Sequence, residues 1–261
     1  MIVIADNLNT RNRDYTEALR KKDAGPVAAL ARKIRDAGAE IINVQCSLDG
    51  AGDEEALPWV TGIIGSETGL PVSLDSRNVD ALKATLLHCK QPPLMNFISE
   101  TEPKDQYALL SLVSASGSSL VLRASRGTVP NTLEAKLQIL EGLIEMANEA
   151  DIPNARLFAD PSLVHLVGGM GQTNLANSYK CIKVLADLVE PPINTVAWIA
   201  NISIGLEERL KKQVEASLLF YLAGAGLDAA IVDVLDDSVR KALSCIKSFR
   251  DEMIFSQTDL M

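Results

Sequence analysis

Short apolar runs alternate with longer segments of helical period along the whole chain. The runs IVIAD (2–6), EIINVQC (40–46), VSLD (72–75), LMNFIS (94–99), SLVLRA (119–124), RLFAD (156–160), TVAWIAN (195–201) and DAAIVD (228–233) predict strands. Each is nearly continuously apolar, as expected where a parallel sheet is buried on both faces. Helical segments lie between and after them. The first, TEALRKKDAGPVAALARKIRDAGA, is interrupted near Gly25-Pro26 and stops at Gly38. DEEALPWVTGIIGSETG tolerates Pro58 near its first turn, and NVDALKATLLHCK carries His88. Further helices begin near Pro103, at TLEAKLQILEGLIEMANEA, at TNLANSYKCIKVLADLV before Pro191-Pro192, at EERLKKQVEASLLFYLAGAG and at SVRKALSCIKSFRDEM. Eight strand–helix units in 261 residues predict an α/β chain folded as a single (β/α)8 TIM barrel over 1–261. An open doubly wound sheet is the rival. Its nucleotide-binding versions lose support because no G-x-G-x-x-G follows the first strand and no Walker loop is present.

Composition narrows the partners. Hydrophobic residues make up 47% of the chain and aromatic residues only 4%, so the core is aliphatic. A net charge of −9 without a basic stripe argues against nucleic acid and anionic membranes. Cys46, Cys89, Cys181 and Cys245 are far apart and form no CxxC pair, which predicts reduced thiols and a cytoplasmic location. MIVIADNLNTRNRD enters an apolar run with no basic n-region and reads as a first strand, not a signal peptide. The apolar stretch SLLFYLAGAGLDAAIVDVL is broken by Gly224, Gly226, Asp228 and Asp233, so a helix, a turn and a buried strand explain it better than a membrane span.

Active sites of such barrels sit at the C-terminal ends of the strands. In PVSLDSRN (71–78) a strand delivers Asp75 to its tip, and Ser76 or Asn78 is available to cap the next helix. The same grammar puts Asn96, Asp160 and Asn201 at strand ends, and the remaining tips carry Asp6, Asn7, Asn9, Asn43, Gln45, Arg123, Ser125, Ser203 and Asp233. Two acids and two amides at strand tips suit a flat, nitrogen-rich heterocycle. A carboxylate accepts two parallel hydrogen bonds from an N–H/NH2 edge, and an amide reads mixed edges. The competing reading for each residue alone is a helix cap or a loop tie, with Asp160-Pro161 also suited to opening a turn. No His/Cys cluster has metal-ligand spacing, and no histidine sits at a strand tip for a nucleophilic triad. The run Gly168-Gly169-Met170-Gly171 reads as a flexible loop more than a phosphate cradle, and Trp59 and Trp198 read as packing residues.

These residues in this order resemble the pterin-binding methyltransferase family, above all its methyltetrahydrofolate:corrinoid (iron–sulfur) protein methyltransferases. The resemblance spans nearly the whole chain: the opening strand with Asn7 and Asn9, LDSRN with Asp75, the MN pair with Asn96, FADP with Asp160, IANIS with Asn201 and GLDAAIVD near the end. It departs at the second strand, which reads Asn43-Val44-Gln45 where the family often has Asp-x-Asn.

The resemblance implies a pterin slot of the dihydropteroate synthase type at the barrel mouth. There Asp75, Asn96 and Asp160 bind the ring of tetrahydrofolate or 5-methyltetrahydrofolate, Asn201 approaches N5, and Asn7, Gln45 and Ser203 complete the site. The implied catalytic set is Asn201, Asp75 and Asp160, with no metal held by the chain itself. The methyl acceptor or donor is the cobalt of a corrinoid (cobalamin). The chain lacks the D-x-H-x-x-G pattern of base-off corrinoid modules, so the corrinoid is expected on a partner protein. A homodimer is also implied, with EASLLFYLAGAG as a segment for extra burial. Such chemistry belongs to anaerobic O-demethylation or acetyl-CoA pathway metabolism. The rivals are a dihydropteroate synthase-like enzyme, a non-catalytic folate-binding subunit and an unrelated barrel enzyme. The first is opposed by IVDVLDD, which ends the last strand in acids rather than a phosphate-binding cation.

Overall fold

The computed structural model describes residues 1–48, 50–100 and 103–254, without the side chains of 103–105. Eight parallel strands close into a barrel in sequence order. They are β1 (Ile2–Leu8), β2 (Ile41–Val44), β3 (Val72–Asp75), β4 (Leu94–Ser99), β5 (Ser119–Arg123), β6 (Leu157–Asp160), β7 (Asn194–Trp198) and β8 (Ala229–Val232). The helices among the described residues are α1 (Arg13–Lys21), α2 (Ala24–Asp36), α3 (Asp53–Glu67), α4 (Val79–Leu86), α5 (Pro103–Ser116), α6 (Leu133–Glu149), α7 (Gly171–Leu188), α8 (Glu208–Gly224) and α9 (Asp237–Phe249). None of these is long and apolar enough to cross a membrane.

Alternation along each strand explains the two apolar cores. One set of positions, including Ile4, Leu94, Val121, Phe158, Val196 and Ile231, fills the barrel interior. The other set, including Ala5, Ile42, Leu74, Met95 and Leu122, packs outward with Ile34, Leu57, Leu140 and Leu219 of the helices. Both faces of the sheet are therefore dry, which is why the strands read as unbroken apolar runs.

Local chemistry sets the element ends. The first helical segment is two helices: Lys22 takes a left-handed conformation (φ 50°) and Asp23 caps α2, which moves Gly25-Pro26 into the first turn of α2. Asn78, not Ser76, caps α4 by accepting from the Ala81 N–H. That helix stops at Leu86, so His88 lies beyond it. The seventh strand is shorter than its apolar run. It ends at Trp198, and Ile199–Ser203 forms a 3-10 turn that carries Asn201. Gly171 opens α7 where a Cβ would stand 2.5 Å from the His165 carbonyl oxygen and 2.7 Å from Leu166 Cα. Close packing thus requires that glycine.

Candidate functional site

The alternation that builds the barrel core also places its polar ceiling. Two residues beyond the inward Ile4, Ile41, Leu94, Val121, Phe158 and Val196 come Asp6, Asn43, Asn96, Arg123, Asp160 and Trp198. Their hydrogen bonds cross the barrel. Asn96 Nδ2 donates to Asn43 Oδ1 at 3.4 Å, and Asn43 Nδ2 donates to Asp6 Oδ1 at 3.3 Å. Asp6 Oδ2 accepts from Trp198 Nε1 at 2.9 Å and from Arg11 at 2.7 Å. Asn9 is buried and accepts the Arg11 backbone N–H at 2.9 Å, which steers that arginine to Asp6. Asn96 is 2% exposed, and its Oδ1 is buried without a hydrogen-bond partner. A buried acceptor left open is costly unless something supplies a donor.

Above this layer lies a cavity of about 450 Å³, within the size range of small-molecule sites. Gln45, Asp75, Phe97, Trp198 and Asn201 line it, and Arg11, Arg77 and Arg123 complete the wall. Arg11 is paired with Asp6 and Arg123 with Asp160, so these cations are matched by acids at the mouth. Gln45 Nε2 donates to Asp75 Oδ2 at 3.1 Å, and its Oε1 accepts from the Thr10 hydroxyl at 3.2 Å, so the Gln45 amide orientation is fixed. Asn201, by contrast, makes no side-chain hydrogen bond among the described residues, and its amide is free to turn. The Arg123 guanidinium stands 3.5 Å from the Phe97 ring centroid and 5.7 Å from that of Trp198.

Burial pushes the Asp75 carboxyl up to about 7, helped by the negative charges of Asp6 and Asp53 and opposed by Arg123 and Arg77. Burial also raises Asp6, against its bonds from Trp198 and Arg11. Because Asp75 holds its proton more tightly in the folded chain than in the unfolded one, its contribution to stability is full below the ordinary carboxylate range. That contribution is lost as the pH rises to about 7.

Not every residue singled out from the sequence lines the mouth. Asp160 is 4% exposed and fully engaged: Oδ2 accepts from Arg123 Nε at 3.0 Å and Oδ1 from the Ser162 N–H at 2.8 Å. Behind it, the buried Lys136 ammonium donates to the carbonyls of Pro161 and Ser162 and ties the loop after β6 to α6. Burial lowers that ammonium to about 8. Asn7 turns away to tie β1 to the end of β8, donating to Asp233 Oδ1 and accepting the Val234 N–H at 3.2 Å. Ser203 is buried and donates to Glu215 and to the Ala200 carbonyl, so it anchors the 3-10 turn against α8. Trp198, expected only to pack, instead walls the cavity and holds Asp6, while Arg11, Arg77 and Phe97 were not anticipated. The signal for Trp198 was its parity with Val196.

The family model described as pterin binding enzyme matches residues 7–233. The chain belongs to this family. A methylcorrinoid:tetrahydrofolate methyltransferase from Eubacterium limosum is 25% identical over 236 residues, covering 89% of this chain and 85% of that protein. Methionine synthase of Mycobacterium tuberculosis is 23% identical over 89% of this chain, which spans only 20% of that longer protein. Among solved structures, Yersinia pestis dihydropteroate synthase with a pterine–sulfa conjugate superposes with a TM-score of 0.71 at 16% identity, covering 97% of this chain and 94% of that one. The Xanthomonas albilineans dihydropteroate synthase with 4-aminobenzoic acid gives 0.70 at 16% identity, covering 98% and 94%. At these identities the structural likeness concerns the fold: a barrel of the pterin-binding type.

Proposed function

We propose that this single barrel domain binds tetrahydrofolate by its pterin ring and moves a methyl group between N5 and the cobalt of a corrinoid carried by a partner protein. The observation that carries the reading is the meeting of a fixed carboxylate and a free amide in one cavity. Asp75, held by Gln45, faces the same mouth as the unpartnered amide of Asn201. The similarity to a methylcorrinoid:tetrahydrofolate methyltransferase supports the choice of reaction. The set of acceptors fits a flat ring rich in N–H groups: Asp75 supplies carboxylate oxygens, and the open Oδ1 of Asn96 supplies another.

The methyl group passes as CH3⁺, so the N5–carbon bond breaks as the cobalt–carbon bond forms, and N5 keeps the electron pair and takes up a proton. A bound corrinoid supplies the cobalt as nucleophile in this direction and as methyl donor in the reverse. The chain's own part is to bind and orient the ring and to hold the proton at N5. Asn201 donates to N5 before protonation and, by turning its amide, accepts from N5–H afterwards, so it follows the charge as it develops. Asp75 accepts from a ring N–H and Asp6 holds the layer beneath it. A dihydropteroate synthase-like reaction needs a cation for a phosphate leaving group. Lys212, beside the end of β8, is bound to Asp233 at 3.0 Å and Glu215 at 3.4 Å. Of the cavity arginines, Arg11 is paired with Asp6 and Arg123 with Asp160, which leaves Arg77 to meet such a group. The similarity to a methylcorrinoid:tetrahydrofolate methyltransferase favours methyl transfer.

The test is methyl transfer from 5-methyltetrahydrofolate to reduced corrinoid, free or protein-bound, followed by visible absorption. Tight folate binding without transfer would instead mark a non-catalytic folate-binding subunit. Binding carries a pH signature as well. Ring N–H donors favour ionised Asp75, so tetrahydrofolate binding releases a proton where Asp75 is protonated, below about 7. Affinity should fall by up to about tenfold per pH unit on the acid side. Calorimetry in buffers of different ionisation enthalpy checks this, and an uptake of protons on binding contradicts it.

A second copy of the chain is proposed as a further partner. Phe220 and Tyr221 on α8 and Phe249 on α9 are 42%, 44% and 74% exposed, an apolar surface of the kind that pairs. Light scattering at micromolar concentration should give the dimer mass, and a monomer mass counts against it.

A further inference from the structure

Asp160 is the acid at the base of the mouth, and each of its oxygens already accepts a hydrogen bond from the protein. One accepts the Ser162 N–H and the other accepts Arg123 Nε at 3.0 Å. The Arg123 side chain is only 19% exposed. Its guanidinium is not solvated over the rim but laid on Phe97 at 3.5 Å from the ring centroid, the spacing of two flat groups in contact. Trp198 stands 5.7 Å away. A planar, nitrogen-rich group thus already sits in the slot, stacked on an aromatic face and donating an N–H to the carboxylate.

The chemistry of that group is informative. A guanidinium is one carbon bonded to three nitrogens, and the amino-pyrimidinone edge of a pterin contains the same fragment. Both present N–H donors in one plane to a carboxylate.

We infer that Arg123 is a placeholder for the substrate ring: in the ligand-free protein its guanidinium occupies the pterin position on Phe97 and Asp160, and the substrate binds by displacing it. The inference rests on the pterin reading of the mouth and adds a gate to it. Asp160 stays paired while the site is empty, so its buried charge is never left without a partner. A ligand enters only if its own edge replaces what Arg123 gives Asp160, which makes the exchange selective for rings that carry the guanidine fragment. The chain also carries the cost of opening, because only the fraction with Arg123 swung away is competent to bind.

The test uses the full chain with Trp59→Phe, leaving Trp198 as the single reporter beside the slot. Tetrahydrofolate binding is followed by fluorescence, at equilibrium and by stopped flow. With Arg123 intact in this parent, the observed rate should level off with ligand concentration as opening becomes limiting. Arg123→Ala should remove the plateau and tighten binding by about tenfold, the factor for relieving a closed state populated tenfold over the open one. Arg123→Lys keeps a charge for Asp160, guards against misfolding and lacks the planar fragment, so it should also lose the plateau. A pterin lacking the 2-amino group should bind worse than tetrahydrofolate to the parent and regain part of the difference in Arg123→Ala. Weaker tetrahydrofolate binding by both folded variants makes Arg123 a ligand contact and overturns the placeholder alone. No tetrahydrofolate binding by the parent protein overturns the pterin reading and the placeholder with it.

Discussion

Asn201→Ala is expected to lower kcat by roughly ten- to a thousand-fold, the upper end corresponding to one lost oxyanion-type contact at about 2.7–4 kcal/mol. The side chain makes no hydrogen bond among the described residues, so truncation leaves no buried partner unsatisfied. The turn that carries it is held independently. Leu166 N–H donates to the Ile202 carbonyl at 3.1 Å, and Ser203 is bound to Glu215. Stability should therefore change little, which separates a chemical effect from a folding one. Folate affinity should fall much less than kcat, because in the proposed mode Asp75 and the open Oδ1 of Asn96 still hold the ring. An interaction that strengthens on the way to the transition state lowers kcat and kcat/KM together. Steady-state kinetics with 5-methyltetrahydrofolate and a reduced corrinoid decides the point. A rise in KM alone at unchanged kcat would make Asn201 a binding residue and sink the proposed role.

The order of elements was legible because a parallel barrel buries both strand faces, so every strand announces itself as an apolar run such as SLVLR or LFAD. Less legible was which tip residue faces the mouth. That depends on parity along each strand, and a one-residue difference moves a side chain to the other side. Asp75 and Gln45 have the right parity and line the cavity. Asn7, one residue beyond Asp6, does not and instead braces β8. Trp198 shares parity with Val196, but its apolar character suggested packing and hid an indole N–H bound to Asp6. Ile199 and Ala200 prolong the apolar run and so predict a strand through Asn201, whereas the chain there coils into a 3-10 turn. Arg123 was visible as a strand-tip cation. Its stacking on Phe97 was not, since that contact joins β5 to β4 through side chains whose directions only the closed barrel fixes.

Asp75→Asn is expected to weaken tetrahydrofolate binding by about 1.5–3 kcal/mol, the range for a hydrogen bond to a charged group, or roughly ten- to 150-fold. The substitution keeps the shape, and its effect is directional. Gln45 Nε2 points a donor at Asp75 Oδ2 from 3.1 Å, with its own Oε1 held by Thr10. An amide at this position must turn its oxygen to Gln45 to avoid two facing donors, which swings the NH2 into the slot. An acceptor for the ring edge thus becomes a second donor, and the ring loses a partner rather than exchanging one. Two further readouts belong to the same variant. The dependence of binding on pH through about 7 should disappear, because the group that titrates there is gone. Stability near and above neutrality should hold or rise, because the carboxyl at position 75 no longer has to be ionised against its desolvation. Weak binding with intact stability and a flat pH profile is the combined result expected from calorimetry and thermal melts. Unchanged affinity in a folded variant removes Asp75 from the site.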